Sequence, residues 1–193
     1  MLTKPKIIAF AGSTRTDSYN KKLVKIASTG ATEVGVDVTV IDLRDFPMPI
    51  YDGDLEQKDG LPSNARKLKD LMLAHQGFLI SSPEYNSSIS AVFKNTIDWA
   101  SRQSEGETPL ACFRDKVAGI MSASPGMLGG LRGLVHVRSI LGNIGVIVTP
   151  DQMALAKAHE AFNEDGTLKD KKQEDQTKKI GANVAKILLK LNG

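Results

Sequence analysis

The sequence of 193 residues contains a single cysteine, Cys112, and carries a formal net charge of only +3. One cysteine excludes an intramolecular disulfide and any metal site built from several thiolates. Because no histidine lies near it in the sequence, we expect Cys112 to be a buried or loop cysteine without a catalytic role. The near balance of charges gives no support for nucleic-acid binding, and the lysines of the C-terminal third alternate with acidic residues, as on a solvated helix face.

Long apolar runs are also missing. No stretch approaches the ~20 residues that a membrane span requires, and residues 1–5 lead directly into a predicted strand, which leaves no room for a signal peptide. These features predict a cytoplasmic protein that contacts neither a membrane nor a nucleic acid. With 41% hydrophobic and 24% charged residues, residues 1–193 have the composition of one globular domain.

A polar loop at residues 12–20 joins the first predicted strand to a helix. It holds one glycine, several hydroxyls, an arginine and an asparagine, which supply the donors that bind phosphate at a helix N-terminus. No Gly-Lys-Ser/Thr closes it as in a Walker loop, and one glycine does not make a dinucleotide fingerprint. A plain turn with Ser18 or Asp17 as the helix N-cap fits the same residues, but we favour a site for a single phosphate.

Strands and helices alternate along the chain. The predicted strands span residues 6–11, 37–43, 77–82, 116–122 and 145–149. The predicted helices span about 18–29, 62–75, 90–101, 131–141 and 172–190, and residues 44–54 read as a long functional or interfacial loop. Nearly apolar strands separated by helices predict an α/β fold with a five-stranded parallel sheet of order 2-1-3-4-5 and helices on both faces.

Three loops with unusual chemistry follow strands one, three and four. These strands are neighbours in a sheet of this order, and ligands of such sheets bind beyond the carboxyl ends of the strands. We therefore expect the loops at 12–20, 83–86 and 124–130 to meet in one crevice. The first would hold a phosphate and the second would line a flat heterocycle, whereas glycines in the third would let backbone approach the ligand. Taken singly, the second loop also fits a capping turn and the third a flexible linker.

A phosphate, a flat ring and a short connecting chain describe FMN. The residues that carry a family resemblance are Gly12-Ser13-Thr14-Arg15 with Ser18 and Asn20, then Pro83-Glu84-Tyr85-Asn86, then Phe93-Lys94-Asn95-Thr96-Ile97-Asp98-Trp99. Together they resemble the NADPH-dependent FMN reductase family, which includes bacterial quinone, chromate and azo-dye reductases. The resemblance implies a flavodoxin-like three-layer sandwich that binds FMN without a covalent bond.

The same resemblance implies a set of cofactor-binding residues. Around the phosphate these are Ser13, Arg15, Ser18, Tyr19 and Asn20; along the ring they are Pro83, Glu84, Tyr85 and Asn86, with Ser122, Ser124 and Gly126 on the other side. Asp98 and Trp99 would fix the helix behind the site. Arg132 and Arg138, with Gly129 and Gly130 before them, are candidates for contacting NAD(P)H, although arginines on a solvated helix face fit equally well. No residue is predicted to be catalytic or to bind a metal, because the flavin carries the chemistry.

The activity implied by this resemblance is a two-step transfer. NADPH or NADH would deliver hydride to the flavin N5 and leave, and a small acceptor (a quinone, an azo compound, chromate or another metal ion, or free flavin) would then be reduced. Family members are commonly oligomers, which implies a homodimer or homotetramer. Two alternatives share the fold: a flavodoxin-type FMN electron carrier without direct NAD(P)H oxidation, which the pI of about 8.9 disfavours because such carriers are usually acidic, and a nucleotide-binding regulatory domain.

Overall fold

A computed structural model describes residues 4–191 of the chain. Of the N-terminal segment 1–5 considered above, residues 1–3 lie outside this range. Within it, five parallel strands form one sheet in the order β2-β1-β3-β4-β5, which confirms the predicted topology. The strands are β1 (Lys6–Ala11), β2 (Asp37–Ile41), β3 (Gly77–Ser81), β4 (Val117–Ala123) and β5 (Ile147–Leu155).

The helices lie on both faces of this sheet. They are α1 (Tyr19–Val34), α2 (Gly53–Asp59), α3 (Ser63–Leu73), α4 (Ala91–Ala100), α5 (Leu131–Asn143), α6 (Ala158–Ala161) and α7 (Lys171–Leu191). Two apolar clusters form the core, one between the sheet and α1 and α7, the other between the sheet and α3, α4 and α5. β1 serves both, because Ile7 and Ala9 face the first cluster while Ile8 and Phe10 face the second, as alternation along a doubly covered strand requires.

Most predicted strands and helices are found within two residues of their predicted bounds, and α1, the 44–54 loop and β5 differ more. α1 continues through Gly30, where a helix end was expected, and ends at Gly35, whose φ of 106° is the left-handed conformation typical of a helix C-cap. Gly30 is instead a packing residue, because a Cβ there would overlap the carbonyl oxygen of Lys178 in α7. The predicted loop at 44–54 contains the start of α2, which begins at Gly53 after the N-cap Asp52.

The third difference is β5, which extends to Leu155 through Pro150. The register shifts between Ala118 and Ile120 of β4, so that β5 bulges where the proline lies. Proline is tolerated there because β5 is an edge strand, where a missing N–H breaks no second ladder. None of the helices found between residues 4 and 191 is long and apolar enough to cross a membrane.

Candidate flavin site

The polar loop between β1 and α1 is fixed to the neighbouring strand and helix at its first residue. The Gly12 N–H donates to the Ser81 carbonyl oxygen at 2.9 Å, and the Ser90 hydroxyl donates to the Gly12 carbonyl oxygen at 2.6 Å. A Cβ at Gly12 would lie only 3.0 Å from Cβ of Phe93, so the glycine lets α4 approach closely. The loop therefore leaves the sheet in a defined direction.

A pocket of about 60 Å³ lies at the carboxyl edge of the sheet, where the loops after β1, β3 and β4 meet. Its lining residues are Ser13, Arg15, Ser18, Tyr19, Asn20, Pro83, Glu84, Tyr85, Ala123, Ser124 and Pro125. The lining thus contains every residue assigned to the cofactor from the sequence except Asn86, Ser122 and Gly126. The topology brings the three loops together as the strand order predicts.

Several donors in this pocket are free to bind an anion. Ser18 holds the N-cap position of α1, yet its hydroxyl makes no capping hydrogen bond. The guanidinium of Arg15 is exposed and pairs with no residue between 4 and 191. The first N–H groups of any helix lack intrahelical partners, and its N-terminus favours negative charge. A hydroxyl, a guanidinium and helix N–H groups together suit a phosphate.

The Asn20 side chain is hydrogen-bonded to the ends of two strands beside the pocket. Its Nδ2 donates to the Ala123 carbonyl oxygen at 2.9 Å, and its Oδ1 accepts from the Ala123 N–H at 2.9 Å and from the Ser81 hydroxyl at 2.8 Å. These bonds tie α1 to the ends of β3 and β4. They leave one Nδ2–H and the backbone N–H of Asn20, in the first turn of α1, for a ligand.

The second loop is a tight turn with an exposed aromatic ring. Tyr85 and Ser88 exchange backbone hydrogen bonds of 2.9 and 3.0 Å across Asn86 and Ser87, whose φ values are 51° and 65°. Two consecutive positive φ values are those of a type I′ turn, which asparagine tolerates well. The Tyr85 side chain is 50% exposed. A rigid backbone edge and a free ring are what a flat heterocycle needs.

Glu84 is committed to α5 and does not project freely into the pocket. Its carboxylate accepts from Nε of Arg132 at 3.0 Å and from the Gly133 N–H at 3.1 Å. Partial burial favours the protonated acid, but the Gly133 N–H and the Arg132 guanidinium together hold the pKa of Glu84 below its ordinary value. His136, one turn further along α5, bonds the Ser88 hydroxyl at 2.9 Å. The first half of α5 thus holds the 83–88 turn in place.

The third loop is shaped more by packing than by free donors. Ser122 is fully buried and its hydroxyl has no partner among the described residues; it lies beneath Gly130, where any Cβ would overlap it. Gly129 and Gly130 both have positive φ, and a Cβ at Gly129 would lie 2.6 Å from the carbonyl carbon of Ala154. The residues of this loop that line the pocket are Ser124 and Pro125, while Gly126 is exposed beside them.

The arginines considered for NAD(P)H differ in their surroundings. Arg138 donates to the carbonyl oxygen of Thr149 at 2.9 Å and to the side chain of Gln152 at 3.0 Å, so it fastens α5 to β5. Arg132 pairs with Glu84 at 2.8 Å, but its side chain is 60% exposed. Arg132 is therefore the one of the two that faces solvent beside the pocket.

The segment at 46–52 is held by residues of the 93–99 stretch on α4, the last of the stretches that carry the family resemblance. Pro49 presents its carbonyl oxygen to Nδ2 of Asn95 at 2.9 Å and to Nε1 of Trp99 at 2.8 Å, and the Tyr51 N–H donates to Oδ1 of Asn95 at 2.8 Å. Between these two anchored residues Ile50 is 86% exposed. The motif is structural, as expected for Trp99, and it displays an apolar side chain on a rigid segment.

Groups elsewhere do not form a second reactive centre. Cys112 is buried, and burial raises the pKa of its thiol to about 11, which removes nucleophilic character at neutral pH. His75 is buried between the Leu71 carbonyl and the Thr39 hydroxyl. Over residues 4–191, no three His, Cys, Asp or Glu side chains are grouped so as to hold a metal ion.

Sequence reasoning missed three residues around the pocket. Ala123 and Pro125 line it through backbone and a small ring, so their residue types carried no sign of a role. Arg44 reaches the polar loop from beyond β2, donating to the Thr14 carbonyl oxygen through Nε at 3.0 Å. Its place just after the carboxyl end of a strand was the available signal, because that edge of the sheet holds the ligand.

Comparison with known proteins agrees with this geometry. The family model for NADPH-dependent FMN reductase matches residues 5–160 of the chain. The chain is 33% identical to a probable NADPH:quinone oxidoreductase of Oryza sativa subsp. japonica, over 99% of this chain and 94% of the relative. It is 34% identical to a quinone reductase of Escherichia coli (strain K12), over 73% and 71%. A solved flavoenzyme NAD(P)H:(acceptor) oxidoreductase from Paracoccus denitrificans superimposes with a TM-score of 0.80 at 26% identity, covering 96% of this chain and 98% of its own.

Proposed function

The chain belongs to the NADPH-dependent FMN reductase family, and on that premise we propose how its residues serve the reaction. It is an FMN-dependent NAD(P)H oxidoreductase with a flavodoxin-like fold. Bound FMN would supply the chemistry of hydride transfer from NAD(P)H to a small-molecule acceptor. The protein has to bind the cofactor, orient it and leave one face of it open to the two substrates.

We propose that the FMN phosphate lies in the pocket at the N-terminus of α1. The observation that carries this assignment is the set of uncommitted donors there, the Ser18 hydroxyl and the Arg15 guanidinium, beside Ser13. The backbone N–H groups of Tyr19 and Asn20 would complete the anion site, because a helix leaves its first N–H groups unpaired. The residues present therefore fit a phosphate-bearing cofactor.

We propose that the isoalloxazine lies along the 83–86 backbone, with Tyr85 and Asn86 at its edge. The turn is stiffened from behind by Glu84 through Arg132 and Gly133, so its N–H and C=O groups keep one orientation when the ring binds. Ser124 and Gly126 would flank the ring from the β4 side, with Ser122 buried beneath them. Exposed Arg132, beside Gly129 and Gly130, would receive the phosphates of NAD(P)H.

For the acceptor we propose a quinone or another small oxidant, such as an azo compound, a chromate or metal ion, or free flavin. Support comes from relatives in rice and Escherichia coli that are named as quinone oxidoreductases or reductases. The 50% exposed ring of Tyr85 next to the pocket would give such a planar acceptor an apolar surface.

We propose that each copy of the chain is a single domain over residues 1–193 and that the protein is cytoplasmic. We also propose that two or four copies assemble into a homodimer or homotetramer. An apolar row supports assembly: Met127, Leu128, Leu131 and Val135 are 73%, 50%, 44% and 61% exposed. This row runs from the 124–130 loop onto α5, beside the turn that would hold the ring. A second copy packed on it would bury the apolar surface and at the same time close one side of the site. Size-exclusion chromatography with light scattering of Val135→Glu should give a smaller species than the unmodified protein.

The experiment that tests the function is a visible spectrum followed by NADPH without oxygen. We expect flavin absorbance in the purified protein, or after incubation with FMN, and prompt bleaching on addition of NADPH. Bands that stay oxidised would indicate an electron carrier fed by a partner and would contradict direct NAD(P)H oxidation. If added FMN gave no bands, the phosphate assignment would be wrong.

A further inference from the structure

Arg44 reaches the polar loop at residues 12–20 from beyond β2. It lies in the 3-10 turn Leu43–Asp45, just beyond β2, thirty positions from the loop in sequence. Nε donates to the Thr14 carbonyl oxygen at 3.0 Å, and Nη2 donates to the same oxygen and to the Thr16 hydroxyl at 3.1 Å. Arg44 is not among the residues that line the pocket, so it contacts the loop and leaves the ligand untouched.

Arg44 is itself anchored at its backbone. Its N–H donates to the carboxylate of Asp42 at 3.0 Å, and the same carboxylate pairs with Lys21 of α1 at 2.5 Å. Partial burial favours protonated Asp42, but the Lys21 ammonium and the Arg44 N–H hold its pKa below the ordinary value. The end of β2, the start of α1 and the loop between β1 and α1 are therefore joined through one arginine and one carboxylate.

The consequence concerns the direction of one peptide group. In a trans peptide the C=O and the following N–H point in opposite directions. Because the Thr14 carbonyl is directed to Arg44, the Arg15 N–H is directed the other way, toward the Ser13 hydroxyl, to which it donates at 3.3 Å. Ser13 and Arg15 both line the pocket. With this peptide flipped, a carbonyl oxygen would face the anion that the pocket is built to bind.

We propose that Arg44 is the positioning residue of the phosphate subsite: it fixes the Thr14–Arg15 peptide with its N–H toward the pocket and its C=O away from it. This inference rests on the proposed function, since it assumes that the anion is the FMN phosphate. A guanidinium suits the task, because its rigid plane lets Nε and Nη2 converge on the single carbonyl oxygen of Thr14 while Nη2 also reaches the Thr16 hydroxyl.

The test compares two flavins on the full chain stripped of cofactor. Riboflavin shares the ring and ribityl chain of FMN but lacks the phosphate. For Arg44→Ala we expect the Kd for FMN to rise about tenfold or more, as for loss of a charge-assisted hydrogen bond, and the Kd for riboflavin to stay within about twofold. Equal weakening of both flavins, or no weakening of FMN, would overturn the inference.

Arg44→Lys separates orientation from charge and guards against misfolding of the alanine variant. Lysine keeps the positive charge but lacks the planar fork, so we expect FMN binding to stay several-fold weaker than in the unmodified protein. Full recovery with lysine would show that charge alone matters and would overturn the orienting role. Arg114→Ala is the matched control. Arg114 is an exposed arginine that precedes β4 and therefore lies at the amino ends of the strands, opposite the pocket. For this variant both Kd values should be unchanged.

The unmodified protein keeps the two hypotheses apart. If it binds FMN and bleaches with NADPH while Arg44→Ala binds FMN equally well, only the role of Arg44 fails. If it binds neither flavin, the proposed function fails first and the role of Arg44 fails with it.

Discussion

The helical layers on the two faces of the sheet are stabilised by different kinds of contact. On one side α1 and α7 meet backbone to backbone: a Cβ at Gly30 would overlap the Lys178 carbonyl, and a Cβ at Gly181 would overlap the Ala27 carbonyl. The cluster beneath them is almost entirely aliphatic. This layer depends on close approach of backbone; the ion pair that Lys178 of α7 makes with Glu33 of α1, at 3.2 Å, lies at its solvent-exposed rim.

The other layer contains buried charge. Lys69 is fully buried and pairs with Glu107 at 2.6 Å, and Arg66 pairs with the same carboxylate at 2.6 Å. Lys116 is buried nearby and donates to the carbonyl oxygens of Met72 and His75 at the end of α3. This layer depends on ionisation states. The pocket proposed for FMN lies where the two layers meet, with α1 from one and the 83–88 turn from the other.

The largest effect is expected for Gly181→Ala, which tests the close contact between α1 and α7. The new Cβ would meet backbone, which cannot rotate away, so α1 and α7 must separate. We expect a loss of about 3 kcal/mol or more, which corresponds to a drop in Tm of roughly 6–12 °C for a chain of this size. Thermal unfolding by circular dichroism measures it, and the loss should be the same at pH 5 and pH 8.

Gly142→Ala is the matched control for that substitution. Gly142 lies in the last turn of α5 with no atom within 4 Å of its Cβ position. Alanine there should stabilise the helix by about 0.5–1 kcal/mol. If both variants changed Tm alike, helix propensity and not helix–helix contact would explain the result, and the account of the α1–α7 layer would be wrong.

In the second layer the corresponding change is Glu107→Gln. Burial alone would raise the pKa of this carboxyl, but Lys69 and Arg66 lower it to about 2. A folded pKa below the ordinary value of 4.5 stabilises the fold above pH 4.5, and this contribution disappears as the pH falls toward 2. We expect Glu107→Gln to lose about 2–3 kcal/mol at pH 7.

Urea unfolding at pH 7 and at about pH 3 separates this effect from a packing defect. The difference between Glu107→Gln and the unmodified protein should shrink at the lower pH, because the unfolded chain is then largely protonated at this carboxyl and the folded chain must be protonated to match only near pH 2. For Gly181→Ala the difference should persist at both pH values. A pH-independent loss in Glu107→Gln would remove the distinction between the layers.

At the junction of the layers, Arg15→Ala should affect binding and leave stability unchanged. The Arg15 side chain is exposed and pairs with no residue of the described range 4–191, so its loss costs the fold little. Without its charge-assisted bond to the phosphate, the Kd for FMN should rise about 10- to 100-fold. Fluorescence titration measures the Kd, and the Tm of the flavin-free chain should move by less than about 1 °C. Unchanged FMN affinity would contradict the phosphate assignment.

Much of the fold could be predicted from the sequence because it depends on local pattern. Apolar strands alternating with helices predict a parallel doubly covered sheet, and the order β2-β1-β3-β4-β5 was found as expected. The misplaced boundaries share a cause: Gly30 and Pro150 normally end helices and strands, but here Gly30 is needed where α7 crosses and Pro150 lies at a bulge on an edge strand. Tertiary contact overrides local preference at both positions.

Prediction was weaker at the level of single side chains in the site. The family resemblance assigned Asn20 and Glu84 to the cofactor site without indicating the partners of their side chains. The structure pairs the Asn20 amide with Ala123, and the Glu84 carboxylate with Arg132 and Gly133. Such pairings join residues about 50 to 100 positions apart, so no local pattern reveals them. The position of a loop follows from topology, whereas the partner of a side chain does not.

The smallest effect expected is that of Glu84→Gln. It tests whether the contact between α5, in the layer with buried charge, and Glu84 also keeps the 83–88 turn in place. A glutamine oxygen would still accept from the Gly133 N–H, while the ion pair with the largely exposed Arg132 would be lost. Exposed pairs contribute little, so we expect a loss below about 1 kcal/mol at pH 7. The lowered pKa of Glu84 places this contribution above pH 4.5, and it should vanish as the pH falls further.

Asp175→Asn is the control. Like Glu84, Asp175 pairs with an exposed cation, in this case Lys171 at 3.0 Å, but both residues of that pair lie on α7, far from the turn in sequence. Both variants should unfold within about 1 kcal/mol of the unmodified protein. Only Glu84→Gln should also weaken FMN, by about twofold to threefold, since the 83–88 turn is then held less firmly along the ring. Equal FMN affinity in the two variants would mean that the turn keeps its shape without the α5 contact, and that the polar layer contributes stability alone.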